Sequence, residues 1–124
     1  MTKEQELAYF AGFLDGEGCF CVTSSVTVKC AHTHYATLER LSEIWGGNIA
    51  EHNSPTHKKQ AWVWSVHADR AVQILKDLIP YLHEKKHRAS LLIEYQSTIG
   101  VRGKRVSDDV KSRREEIKKE LGYD

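Results

Sequence analysis

The hydrophobic positions of this chain change period several times, and each change marks an element. Leu7, Phe10, Ala11 and Leu14 recur at i, i+3, i+4 and i+7, the spacing of one helix face. Thr2, with Gln5 three residues on, is a capping-box start for that helix. Tyr9 and Phe13 form a second stripe, and Ala8, Gly12 and Gly16 a third made only of small residues. A helix that is apolar on several sides is expected to be covered on several sides. Over residues 19–32 the period falls to two. Phe20, Val22, Val26, Val28 and Cys30 alternate with Cys19, Cys21, Thr23, Ser25, Thr27, Lys29 and Ala31, which predicts a half-buried hairpin turning at Ser24-Ser25.

The helical period returns over residues 34–45, with Leu38, Leu41, Ile44 and Trp45 on one side, Thr33 as cap and Gly46-Gly47 as stop. A second hairpin follows, residues 48–52 and 60–67, in which Trp62, Trp64 and Val66 alternate with Ala61, Val63 and Ser65. Asp69 is the expected cap of a helix with Ala71, Val72, Leu75, Leu78 and Ile79 as its core stripe, and Pro80, lacking an amide donor, breaks or kinks it. Ala89, Leu92, Ile93 and Gln96 predict a further helix over residues 86–98. Gly100 and Gly103 bracket a basic loop, and Ser107 caps a last, highly charged helix whose only apolar residues are Val110, Ile117 and Leu121. The order is α-β-β-α-β-β-α-α. An α+β domain with one mixed sheet and helices on one face is the simplest packing.

Composition narrows the class. With 124 residues, 40% hydrophobic and 28% charged, the chain is one domain with a real core. No apolar run reaches the length of a membrane span. The start MTKEQELAYF is acidic and amphipathic, unlike a signal or transit peptide. Three cysteines, an odd number, suggest no disulfide framework, and an intracellular, reducing setting is expected. The net charge of +1 is unremarkable, but residues 85–119 hold eleven Lys/Arg against five Asp/Glu. Such a local excess is what phosphate contact requires.

The most specific stretch is residues 10–18, FAGFLDGEG. Apolar helix, small residues and then two acids, Asp15 and Glu17, place carboxylates at a tightly packed seam. Acids at a helix C-terminus oppose its macrodipole, so two of them need a reason. Small residues at Ala8, Gly12 and Gly16 let a second helix approach closely. The chain has one such helix, so its natural partner is the same helix of a second subunit across a two-fold axis.

The string closely resembles the LAGLIDADG signature of homing endonucleases and their maturase relatives. Its nine positions are filled in order by Phe10, Ala11, Gly12, Phe13, Leu14, Asp15, Gly16, Glu17 and Gly18. Trp64, Val66, Leu75, Leu78, Pro80, Tyr81, Leu82, Lys85 and Ala89 also fit the layout of single-motif members, so the resemblance covers about residues 5–98. It implies an αββαββα fold with a four-stranded antiparallel saddle sheet. Residues 1–98 would form the endonuclease-like domain, and residues 99–124 a basic loop and an extra C-terminal helix of the same domain. It also implies a homodimeric, metal-dependent, site-specific double-strand DNA endonuclease whose products carry short 3′ overhangs.

By the same resemblance Glu17 is the metal ligand and Lys85 the basic group near the scissile phosphate. Mg²⁺ (or Mn²⁺) is hard and takes oxygen ligands, so the Gly18 carbonyl can join its shell. Asp15 is then a structural acid, and Ala8, Ala11, Gly12, Asp15 and Gly16 form the dimer seam. In the family a polar group on the second strand often positions the water. No Gln stands in that region here, and His32 is the nearest alternative.

Thr23, Ser25, Thr27, Lys29 and His52 lie on the polar side of the sheet, where a ribbon in the major groove reads base edges. Lys58, Lys59, Arg102, Lys104 and Arg105 are expected phosphate contacts. The expected target is a long pseudo-palindromic duplex. Two other readings stay open: a catalytically silent nucleic-acid binder of the same fold (an RNA maturase or a regulator), and a zinc module built on Cys19, Cys21, Cys30, His32 and His34.

Overall fold

A computed structural model describes residues 1–52, 59–99 and 107–123. Helix α1 (Lys3–Glu17) starts at the expected capping box: Thr2 Oγ1 accepts from Gln5 N at 3.1 Å, and Gln5 Oε1 accepts from Thr2 N at 2.8 Å. Strands β1 (Gly18–Val22) and β2 (Val26–His32) form the first hairpin. Helix α2 (Tyr35–Trp45) leads into the second hairpin, β3 (Asn48–Glu51) and β4 (Trp62–His67). Helix α3 (Ala68–Leu78) ends at a 3₁₀ turn over Ile79–Tyr81, the break expected of Pro80. Helices α4 (Lys86–Ser97) and α5 (Asp108–Leu121) complete the chain.

The four strands form one sheet in the order β1-β2-β4-β3, and every pairing is antiparallel, not mixed. The register settles the two faces. Phe20, Val28 and Val66 stand side by side, as do Cys30, Trp64 and Ile49. These face the helices and share one core with Phe10, Ala11 and Leu14 of α1, Leu38 and Leu41 of α2, Ile74 and Leu75 of α3, and Leu92 of α4. Ile117 and Leu121 of α5 belong to the same core, so the thin apolar stripe of the last helix is enough to seat it.

Two caps differ from expectation. The N-cap of α2 is His34, not Thr33, and its ring Nδ1 meets Thr37 Oγ1 at 2.7 Å. The N-cap of α3 is His67, not Asp69. Strand β4 turns directly into α3 through Ala68 at φ 57°, a left-handed conformation, leaving no loop in which Asp69 could serve as cap. Asp69 falls instead in the first helical turn, where a negative charge suits the dipole. On α4 the buried set is Ala89, Leu91, Leu92 and Tyr95, while Gln96 uses its Oε1 to accept from Val26 N at 3.1 Å.

Several cations of the basic C-terminal region hold the fold together. Arg88 donates to the Phe20 carbonyl at 2.6 Å and to the Leu121 carbonyl at 3.1 Å. Arg113 is paired with Glu94 and Glu116. Tyr123 Oη accepts from Val22 N at 3.2 Å, tying the end of the described chain to β1. Among the described residues no helix is long and apolar enough to cross a membrane.

Candidate nuclease site and nucleic-acid interface

The two acids of the motif have different surroundings. Asp15 is partly buried, and both its carboxylate oxygens are occupied. Oδ2 accepts from His83 N at 3.1 Å and Glu84 N at 2.9 Å, and Oδ1 from Lys85 N at 2.8 Å. Partial burial pushes its acidity one way, but the three amides and the Lys85 charge together outweigh it and hold the carboxyl below its ordinary range. Lys85 Nζ in turn donates to the Asp15 carbonyl. Both oxygens of Asp15 are thus given to backbone amides, and these lie some 70 residues away instead of at its own helix end.

Glu17, the last residue of α1, is exposed, and its carboxylate makes no hydrogen bond or ion pair among the described residues. Gly18 follows at φ −81°, an ordinary extended conformation, so its glycine is not required by φ. It is required by space: a Cβ there would lie 2.7 Å from the Leu14 carbonyl oxygen. The chain therefore leaves the helix for β1 hard against the last turn, and Glu17 is set at the rim of the sheet. Its charge is felt by Cys30, whose thiol is pushed up to about 11, mainly by burial and then by Glu17.

A concave depression of about 300 Å³ opens beside it, lined by Glu17, Cys19, Lys29, Ala31, His52 and Val63. It joins the acid to the sheet face opposite the helices. Lys29 and His52, both expected readers, are there, and Thr23 is exposed and Ser25 half-buried at the far turn.

Thr27 does not fit the expected role. It is 2% exposed, and its hydroxyl is held by the Ser25 carbonyl, Thr23 Oγ1 and His67 Nδ1. Its neighbour Cys21 is buried as well, and that burial, with Cys19 beside it, raises the Cys21 thiol above its ordinary range.

Residues that the sequence reading passed over share the face. Ser65 and Asn48 stand in register with Lys29, and His67 with Thr27. Carrying the two-residue period from β2 across the second hairpin is the signal that finds them.

His32 belongs to the other side. Its Nδ1 accepts from His34 N at 3.0 Å and its ring packs 5.5 Å from Phe13, so it does not line the depression. Lys59 is exposed, while Lys58, Arg102, Lys104 and Arg105 lie outside the described residues.

The small-residue face is open at Ala8, Gly12 and Gly16. All three are exposed, and a Cβ at Gly12 or Gly16 would meet nothing within 4 Å. Ala11 is corrected: it is fully buried in the protomer's own core and cannot also face a second copy. Asp15 likewise turns its carboxylate toward residues 83–85 of its own chain.

The zinc arrangement is not assembled. Cys30 is 1% exposed in the core while Cys19 is exposed on the opposite face, and among the described residues no three His, Cys, Asp or Glu side chains converge.

No family model matches the sequence, and no curated protein sequence matches it. Solved structures do match over nearly the whole chain. The homing endonuclease I-CvuI, in complex with its target in the presence of Ca, aligns with a TM-score of 0.66 at 19% identity, covering 98% of this chain and 97% of that one. I-CvuI is also seen on the I-CreI target in the presence of Mg with the DNA uncleaved. The archaeal intron-encoded I-Vdi141I, complexed with DNA, gives 0.65 at 16% identity over 98% of this chain and all of that one. The homing endonuclease I-TnaI gives 0.67 at 16% identity over 94% and 87%. The αββαββα core, the antiparallel sheet and the helix that carries FAGFLDGEG together are the fold of the LAGLIDADG homing endonucleases.

Proposed function

We propose that this chain is a divalent-metal-dependent endonuclease that cuts both strands of a long pseudo-palindromic DNA site as a homodimer. The observation that carries the reading is the division of labour within the motif. Asp15 has both oxygens committed to amides, whereas Glu17 lies exposed at the rim of the polar sheet face with no partner among the described residues. An exposed carboxylate with the Gly18 carbonyl next to it is a hard-oxygen donor set, which suits Mg²⁺ or Mn²⁺. A bound cation of this kind polarises a phosphoryl oxygen and lowers the pKa of a water.

One protomer supplies one such acid, and the open glycine face supplies the means to bring a second. Gly costs a helix roughly 0.5–1 kcal/mol relative to Ala, and the protomer gains no close contact from Gly12 or Gly16. Those positions make sense when another backbone packs there. A two-fold through this face places both Glu17 residues near the axis and sets the two sheets end to end along the duplex. Lys29, His52, Ser65, Asn48 and Thr23 then face the major groove, and Lys59 a phosphate. Lys85, anchored on the last turn of α1, adds positive charge beside the phosphate being attacked.

The I-CvuI complex in which Mg is present and the DNA is uncleaved keeps the silent-binder reading worth a direct test. A duplex pool is selected by the protein in EDTA, and the selected sites are then incubated with Mg²⁺. Cleavage of both strands is expected. Glu17→Gln should abolish it, with a loss of about 10³-fold or more, while duplex affinity in EDTA stays within about twofold. Tight binding with no cleavage by the wild-type chain would refute the nuclease reading.

A further inference from the structure

We propose that Asp15 is a positioning residue: it locks the end of α1, and with it Glu17, to the segment that carries Lys85. This rests on the function proposed above. The lock is reciprocal. The Asp15 carboxylate takes three successive amides, His83, Glu84 and Lys85, and the Lys85 ammonium takes the Asp15 carbonyl. Each half answers a need of a helix end. Helix α4 begins at Lys86, and its N-cap, Lys85, offers no side-chain cap; the Asp15 carboxylate sits just before that N-terminus, on the amides of Lys85 and the two residues preceding it, where a negative charge suits the dipole. Helix α1 has no basic residue in its last turn, so Lys85 supplies the missing cation there. The two helix termini therefore exchange charges of the sign each lacks.

Glu17 is two residues past Asp15 on the same helix, and Gly18 is pressed against the Leu14 carbonyl, so little slack remains between lock and acid. On the other side, Arg88, three residues past Lys85, is fixed to the carbonyls of Phe20 and Leu121. Residues 83–85 are thus held between the end of α1 and the start of the sheet. The contacts that serve the two helix ends also grip the backbone segment that bears Lys85. They fix the two groups of the proposed reaction relative to each other.

The test compares the full-length wild type with Asp15→Asn. The carboxamide keeps an acceptor, but loses the charge and turns donors toward the amides. The expected result has four parts. Turnover on the selected duplex falls about 10–100-fold at saturating DNA. The Mg²⁺ concentration for half-maximal rate rises several-fold. Duplex affinity in EDTA is unchanged, and hydrogen exchange of the His83, Glu84 and Lys85 amides accelerates. Asp15→Glu, which keeps the charge, recovers part of the rate, and it is the working variant should Asp15→Asn fail to fold.

Wild-type turnover and Mg²⁺ midpoint in the folded variant would overturn the proposal. So would a rate loss that disappears whenever the temperature is lowered enough to keep the variant folded. If the wild-type chain binds duplex but never cuts, the nuclease reading fails by itself. Mg²⁺ binding by calorimetry, together with amide exchange at residues 83–85, then still judges the lock: an unchanged Mg²⁺ affinity in Asp15→Asn overturns it and a weakened one supports it.

Discussion

At the scale of single residues, the molecule depends on which atoms are already spoken for. Two carboxylates two positions apart look equivalent in the string FAGFLDGEG, yet one is consumed by three amides and the other is exposed, with no partner among the described residues. The sequence held the signal that one of them needed a partner, because acids oppose the dipole at a helix end. It did not hold the partner's identity, because the donors are backbone amides and leave no trace in residue type. Gly18 is a second such case. Its neighbour is a backbone oxygen that cannot move aside, so Gly18→Ala should destabilise the fold by about 1–3 kcal/mol, the usual cost of overpacking. Chemical denaturation at unchanged m-value would measure it. Thr27 shows the opposite error. Alternation put it correctly on the polar face, but a hydroxyl small enough to be enclosed by Thr23, Ser25 and His67 is lost to the surface. Periodicity gives the side of a sheet, not the depth.

At the scale of elements, the long periodic segments were legible and their ends less so. Of the three stripes of α1 the first is the one in the core, with Phe10, Ala11 and Leu14 buried; Tyr9 of the second is 56% exposed, and Ala8, Gly12 and Gly16 of the third are open. The caps of α2 and α3 were misplaced by one or two residues, because local turns built from histidine rings and a left-handed Ala68 overrode the usual preference for Thr and Asp. Helix α5 had little apolar signal because only Ile117 and Leu121 of its stripe are buried, and the ion pair of Arg113 with Glu94 joins it to α4. Arg113 lowers the pKa of Glu94 through a side-chain hydrogen bond, against a small opposing effect of burial. A depressed carboxylate contributes stability that is present above its unfolded pKa, about 4.3, and is lost as pH falls through the folded value. The α4–α5 contact should therefore loosen below about pH 4.3. Amide exchange in residues 108–121, measured from pH 6 down to about 3, should quicken before that of α3; exchange that quickens equally in both would count against it.

At the scale of the whole molecule, the proposed pairing of two chains stands or falls on the open glycine face of α1. Gly12 is exposed and a Cβ added there meets nothing within 4 Å, so a Gly12→Leu chain should fold normally. It should also fail to pair. Sedimentation with and without a selected duplex is expected to give a dimer for the wild type and a protomer for the variant, and cleavage is expected to vanish while the circular dichroism spectrum stays native. A dimeric Gly12→Leu chain would place the seam elsewhere. The four-stranded antiparallel sheet was expected on the strength of the resemblance, and the structure has it; the strand order comes from the structure. What residue patterns alone indicated was a single sheet with helices on one side, because the direction of each strand depends on connections that periodicity does not encode.

Strand β1 lies at one margin of the sheet, yet it is not left as bare backbone. Arg88 takes the Phe20 carbonyl, and the Tyr123 hydroxyl takes the Val22 amide. Exposed strand margins invite stray chains to add on. Here Arg88 and Tyr123 act as a selvedge, finishing part of that border so that fewer of its backbone groups are left to a passing chain.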